Sequence, residues 1–218
     1  DAVDSKTKIM VLENPNGFIG TKLTFSQLKF CAVELKKKNT LLLIDEAYHF
    51  IENRTSSSFN LIPKYSNVII SQTFSKCHGL AGTRFGYLVG DPELMQYISR
   101  VRPMHEITGL TARAVEWILD HKQILNDYQK TIKEGKVFLS KELKKLGINC
   151  RIVHGNFIMV YFLDKGITKD MDKKLIERKV LVRRPFEEPY LKGWSRVTVG
   201  SREDCKIFIK AVKDILKD

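Results

Sequence analysis

Short, wholly apolar runs, separated by stretches of helical spacing, set the rhythm of the first half of this chain. Lys8 to Glu13 carries the first run and leads into Asn14-Pro15-Asn16-Gly17. Leu41 to Ile44 carries the second and ends at Asp45, and Val68 to Ser71 carries the third and ends near Lys76. Runs this short, apolar at consecutive positions, are the pattern of strands in a parallel sheet covered on both faces. Thr24 with Gln27 three residues later predicts a capping box, with Phe25, Leu28, Ala32 and Leu35 at helical spacing behind it. Tyr87 to Val89 adds a fourth strand. Asp91-Pro92-Glu93 then opens a helix, with an N-cap residue followed by proline at the first helical position.

The second half changes character. A long amphipathic helix is predicted from about Asp120 to Leu146, with Ile124, Tyr128, Ile132, Leu139 and Leu143 on its apolar stripe and Gly147 as its stop. Strands are predicted at Cys150–Val153, Asn156–Phe162, Val180–Arg183 and Arg196–Val199. Helices are predicted over about Asp170–Lys179 and from Ser201 onward, the latter with Ile207, Phe208, Ala211, Val212, Ile215 and Leu216 on one face. The reading is an α/β portion over 1–108 followed by a small α+β domain over 109–218, with no internal repeat beyond the βαβ rhythm.

Spacing gives the first half its chemistry. Asn14, Asp45 and Lys76 recur at a 31-residue interval, close to one βαβ unit, so all three fall at carboxyl ends of parallel strands. Open α/β sheets bind ligands there. Around Lys76 lie the hydroxyls of Thr73 and Ser75, the small residues Gly79, Ala81 and Gly82, and the guanidinium of Arg84. An amine, two hydroxyls and a guanidinium around a glycine-rich turn suit a phosphorylated carbonyl compound. The amine forms a Schiff base and the other groups take the phosphate. Taken singly, Lys76 reads as a solvated lysine, Asp45 as a cap and Tyr48 as core.

Composition narrows the alternatives. The chain has 218 residues, 43% hydrophobic and 28% charged, which is ordinary for a globular protein. The net charge of +12 invites a nucleic-acid reading. The lysines, however, sit on helical stretches such as Lys36-Lys37-Lys38 and Lys130 to Lys145, the pattern of solvated faces, and nucleic-acid binding is not expected. No apolar run approaches the roughly 18 residues of a membrane span. Cys31, Cys77, Cys150 and Cys205 lie far apart without C-x-x-C spacing, so neither zinc nor another metal is expected, and a cytoplasmic protein with reduced thiols is.

The segment Ser75 to Tyr87 resembles the pyridoxal-phosphate (PLP) aminotransferases of fold type I, in particular the histidinol-phosphate aminotransferase branch. It matches every fixed position of that branch's S-K-x-x-G-L-A-G-x-R-x-G-Y. Asp45-Glu46-Ala47-Tyr48 is similar to the family's D-x-A-Y, and Arg196-Val-Thr-Val-Gly-Ser-Arg202 to its R-I-T-V-G-T-R. The resemblance implies Lys76 as the Schiff-base lysine and proton shuttle, and Asp45 against the pyridine nitrogen. It further implies Tyr48 on the ring's phenolic oxygen, and Thr73, Ser75 and Arg84 on the phosphate. Arg196 would clamp the substrate α-carboxylate, Asn156 would lie in the substrate region, and Arg183 or Arg184 would reach a substrate phosphate. The implied reaction is transamination between a small, phosphorylated amino donor and a keto acceptor, in a homodimer. Decarboxylation of a phosphorylated amino acid, as in threonine-phosphate decarboxylases, uses the same residues. An inactive fragment is the third reading.

Two departures stand out. Asn14-Pro-Asn-Gly-Phe-Ile-Gly20 occupies the place of the family's N-P-N-N-P-T-G, so Gly17 replaces the asparagine that contacts the ring oxygen. Either Asn16 substitutes from one residue earlier, or Tyr48 carries that contact alone. The resemblance also begins well inside the family's large domain, which predicts an incomplete site and an exposed sheet edge.

Overall fold

The computed structural model describes residues 3–52, 57–163 and 170–217. Contacts divide the chain into two compact units. One comprises Asp1–Gly17 and Thr21–Asn126, the other Phe18–Gly20 and Asp127–Asp218.

The first unit is built on a four-stranded sheet in the order β1 (Ile9–Glu13), β2 (Leu41–Asp45), β3 (Val68–Thr73), β4 (Gly86–Gly90). The first three strands are parallel, as their apolar runs predict, whereas β4 lies antiparallel to β3. The connection into β4 holds only a 3-10 turn at Ala81–Thr83, not the crossover helix that returns a chain to a parallel position. The loop after β1 contains a cis Asn14–Pro15 bond.

Helix α1 (Phe25–Lys37) starts at the expected capping box: Gln27 N–H donates to Thr24 Oγ1 at 3.3 Å and Thr24 N–H to Gln27 Oε1 at 2.8 Å. Its Leu28, Ala32 and Leu35 bury against Leu42, Ile44, Val68 and Ile70, with Leu61 completing the cluster. Each such leucine or isoleucine contributes about 1.5–3 kcal/mol. Phe25, at the first helical position, stays 39% exposed. The opposite face is less covered than the strand pattern predicts. There Ile9, Val11 and Leu88 are 45%, 56% and 43% exposed, and β1 forms one edge of the sheet.

Helix α2 (Pro92–Ser99) is capped by Asp91, as expected. Helix α3 (Gly109–Asp120) is not among the expected helices, although Thr111, Val115 and Ile118 fall at helical spacing on its buried face. Its Val115 and Ile118 pack on Phe74 beside Leu80, Phe85, Tyr87 and Ile124. The division expected at 108/109 thus falls where α3 begins, while α3 itself belongs to the first unit.

Helix α4 (Lys122–Lys145) leads into the second unit and buries Ile132, Leu139 and Leu143. That unit holds an antiparallel sheet, β5 (Cys150–Ile152), β6 (Phe157–Tyr161) and β7 (Trp194–Thr198), with α5 (Met171–Glu177) and α6 (Arg202–Ile215). The strand expected at Val180–Arg183 does not form. Arg183 N–H donates to Arg196 O at 3.3 Å, but Pro185 has no N–H with which to extend a ladder, and Leu181 is 81% exposed. On α6, Phe208, Ala211, Val212 and Ile215 are buried as expected, whereas Ile207 and Leu216 face outward, 58% and 40% exposed.

Candidate active site

The parallel register sets Glu13, Asp45 and Ser71 side by side at the carboxyl ends of β1, β2 and β3. Residues paired across a sheet share a face, so these three, with Thr73 two positions further on, project from the face opposite α1. The sheet therefore presents one apolar face to its helix and one polar strand-end row to the site.

Asp45, the last residue of β2, is partly buried, and its Oδ1 accepts the N–H of Ala47 at 3.0 Å. That bond turns the chain away from the strand and brings Tyr48 to the head of a 3-10 turn at His49–Ile51. Lys76 follows β3 by three residues. Its exposed Nζ lies 5.2 Å from the centroid of the Tyr48 ring, within cation–π range. Thr73 and Ser75 form a tight hydroxyl pair: Thr73 Oγ1 donates to Ser75 Oγ at 2.9 Å and accepts the Ser75 N–H at 3.1 Å. Arg84 is held at φ +55°, ψ +40°, with Nη1 donating to the Ala81 carbonyl at 3.0 Å. A left-handed arginine costs of order 1–3 kcal/mol, and such strain concentrates at functional sites. Asn16 Nδ2 donates to Glu13 Oε2 at 3.2 Å.

In the second unit, Arg196 sits at the centre of β7 opposite Met159, its guanidinium 5.1 Å from the Phe157 ring centroid. Asn156, just before β6, donates from Nδ2 to the Tyr128 hydroxyl at 3.0 Å. Of the two candidate phosphate arginines, Arg183 is bonded through its backbone to Arg196 and stacks on Phe18 and Phe186 at 5.1 and 4.9 Å. Arg184 is exposed.

Two features carried no sequence signal. Glu13 reads as an ordinary strand end, yet its carboxylate closes the following loop, accepting the Gly17 N–H at 2.7 Å as well as Asn16. Behind Asp45, the carboxylate of Glu46 is 1% exposed and accepts from Gln72 Nε2 at 2.7 Å, and the Tyr87 hydroxyl donates to Gln72 Oε1. Burial, and secondarily the Glu46 charge, raise the Tyr87 hydroxyl above its ordinary pKa. Burial likewise pushes the neighbouring Cys77 thiol up to about 12, with Sγ donating to the Phe50 carbonyl at 2.9 Å. Among the described residues, no group of His, Cys, Asp and Glu is arranged to hold a metal ion.

The fold is that of the fold-type-I PLP transferases. The histidinol-phosphate aminotransferase of Sinorhizobium meliloti, solved in complex with pyridoxal-5'-phosphate, superimposes with a TM-score of 0.82 at 22% identity, covering 96% of this chain and 57% of that one. The L-threonine-O-3-phosphate decarboxylase of Porphyromonas gingivalis gives 0.81 at 20% identity, covering 99% and 67%. The chain belongs to the family Aminotransferase class I and II, whose family model matches residues 1–212. Histidinol-phosphate aminotransferase 1 of Trichormus variabilis is 31% identical over 209 residues, 96% of this chain and 58% of that protein. The chain thus spans somewhat more than half the length of the curated relatives it matches.

The family is PLP-dependent, and the donor set fits that group. An exposed amine, a strand-end carboxylate and a phenol stand together, and a hydroxyl pair and a guanidinium suit a phosphate.

Proposed function

We propose that this chain carries the lysine-bearing part of the active site of an aminotransferase acting on a small phosphorylated amino compound of the histidinol-phosphate kind. The reading rests above all on Lys76, Asp45 and Tyr48 meeting at the carboxyl ends of adjacent parallel strands, with the Lys76 amine over the Tyr48 ring. PLP, when bound, supplies an electron sink for the carbanion at the substrate α-carbon. Lys76 would hold the cofactor through its aldehyde, and its amine is the group that would take the α-proton of a bound substrate. Asp45 holds a proton on the ring nitrogen through its charge. Tyr48 donates to the phenolic oxygen. Thr73, Ser75 and Arg84 neutralise and orient the phosphate, which fixes the ring relative to Lys76. Arg196, with Asn156 beside it, takes the carboxylate of the keto-acid acceptor, or of an amino-acid substrate, and Arg183 or Arg184 takes the substrate phosphate. A homodimer and a cytoplasmic location belong to the same reading. No helix among the described residues is long and apolar enough to cross a membrane.

The test is visible absorbance with added PLP, before and after borohydride, in the wild type and in Lys76→Ala. A yellow, reducible adduct lost in the variant supports the assignment. An adduct that survives the substitution, or none with this chain or a longer form of the protein, sinks it. The resemblance to a phosphothreonine decarboxylase makes a second assay decisive. Keto-acid-dependent exchange marks a transaminase, and carbon dioxide release without an acceptor marks a decarboxylase.

A further inference from the structure

The loop that departs from the family pattern is built around a contact. Gly17 is buried, and a Cβ added there would lie 2.7 Å from Cε2 of Tyr48 and 3.4 Å from Cδ2. The phenol ring therefore occupies the space in which a side chain at position 17 would begin. The Gly17 N–H donates to Glu13 Oε2 at 2.7 Å, an oxygen that would itself lie 3.4 Å from the added Cβ and that also accepts Asn16 Nδ2 at 3.2 Å. Glu13 is in turn the register partner of Asp45, so the loop is anchored to the strand end that carries the Asp45–Tyr48 turn. Lys76 stands over the same ring, its Nζ 5.2 Å from the Tyr48 ring centroid.

We propose that Glu13 and Gly17 are positioning residues for Tyr48 and, through it, for the amine of Lys76. The inference rests on the reading of Lys76 as the cofactor lysine. The Glu13 carboxylate draws the turn of residues 14–17 back onto the end of β1. The bare α-carbon of Gly17 then forms the floor on which the Tyr48 ring rests. An asparagine at position 17 has no room beside this ring position, and the amide of Asn16 is engaged with Glu13. Placement of the phenol by backbone contact thus takes over from the side-chain amide of the family pattern, and Tyr48 carries the contact to the ring oxygen. At 2.7 Å from a stiff aromatic ring, an added methyl moves the ring rather than compressing the contact.

The test needs no cofactor. Lysines of the 218-residue chain are reductively methylated with 13C, and the Lys76 resonance is identified by its absence in Lys76→Arg. The expected result is a ring-current displacement of this resonance that disappears in Tyr48→Leu. Gly17→Ala loses at least half of that displacement, and Glu13→Gln loses a smaller part, while the other lysine resonances hold their positions. A purely structural role would lower the melting temperature of these variants and leave the Lys76 resonance in place. Retention of the wild-type resonance by a folded Gly17→Ala overturns the proposal. Should that variant fail to fold, Glu13→Gln, which keeps the side-chain size, decides in the same way. Failure of the PLP adduct to form would instead strike at the cofactor reading and leave this measurement standing.

Discussion

Gln72 and Glu46 meet in the interior of the first unit, with Gln72 Nε2 donating to the Glu46 carboxylate at 2.7 Å and the two residues 3% and 1% exposed. This bond ties β3 to the turn that delivers Tyr48, directly behind the strand-end row of the site. A buried carboxylate is tolerated only while its hydrogen bonds are kept. Gln72→Leu should therefore lower unfolding free energy by about 1.5–3 kcal/mol, the range for a hydrogen bond to a charged group. Tyr87→Phe removes only the outer bond of the chain and should cost about 1 kcal/mol. Urea denaturation of the two variants checks the order, and equal losses would contradict it.

Arg196 is expected to act on the substrate rather than on the fold. In the whole enzyme, Arg196→Lys replaces a planar fork by a point charge and should reduce kcat/KM roughly 10- to 100-fold. Most of the loss should appear in KM, and the cofactor spectrum should not change. Steady-state kinetics with the keto-acid acceptor varied decide this. A loss confined to amine substrates lacking a carboxylate would be the contrary result.

Cys77 should be chemically silent in the folded protein. Burial pushes its thiol up to about 12, so little thiolate exists at pH 8. Iodoacetamide followed by peptide mapping should label it only after denaturation. The sign of the linkage also follows. A thiol kept neutral in the folded state contributes stability that is fully present below the ordinary value of 9.0. That contribution is lost as pH rises from there towards about 12. The alkaline flank of the stability profile should flatten in Cys77→Ala.

The last helix has an acid-sensitive start. Ser201 and Asp204 form a reciprocal capping box, with Asp204 N–H donating to Ser201 Oγ at 3.1 Å and Ser201 N–H to Asp204 Oδ2 at 2.9 Å. The Ser201 hydroxyl, which donates to Asp204 Oδ2 at 2.8 Å, and after it the Ser201 N–H hold the Asp204 carboxyl below its ordinary value of 3.8. A depressed carboxyl contributes stability above the unfolded value, and that contribution is lost as pH falls through the folded one. Ser201→Ala should cost about 0.5–2 kcal/mol at pH 7 and less at pH 3, as read from melting curves at the two pH values.

Much of this architecture was legible in residue order, because it depends on neighbours in sequence. The apolar runs ending at Glu13, Asp45 and Ser71 mark β1 to β3, and the capping boxes at Thr24 and Ser201 mark helix starts. The Asp45, Lys76, Arg84 and Arg196 motifs point to the family. What tertiary structure alone decided concerns groups far apart in the chain. The direction of β4 depends on the short connection through Ala81–Thr83, and what the periodic face of α3 buries against depends on Phe74, which lies far from it in sequence. Val180–Arg183 has strand composition, but the Val180 N–H is taken by the Leu175 carbonyl and Pro185 interrupts the pairing that Arg183 begins, so the segment stays unladdered. Gly17 appears in the sequence as a missing asparagine. In three dimensions it is the surface under Tyr48, because steric exclusion acts between atoms in space and leaves no trace in the spacing of residues along the chain.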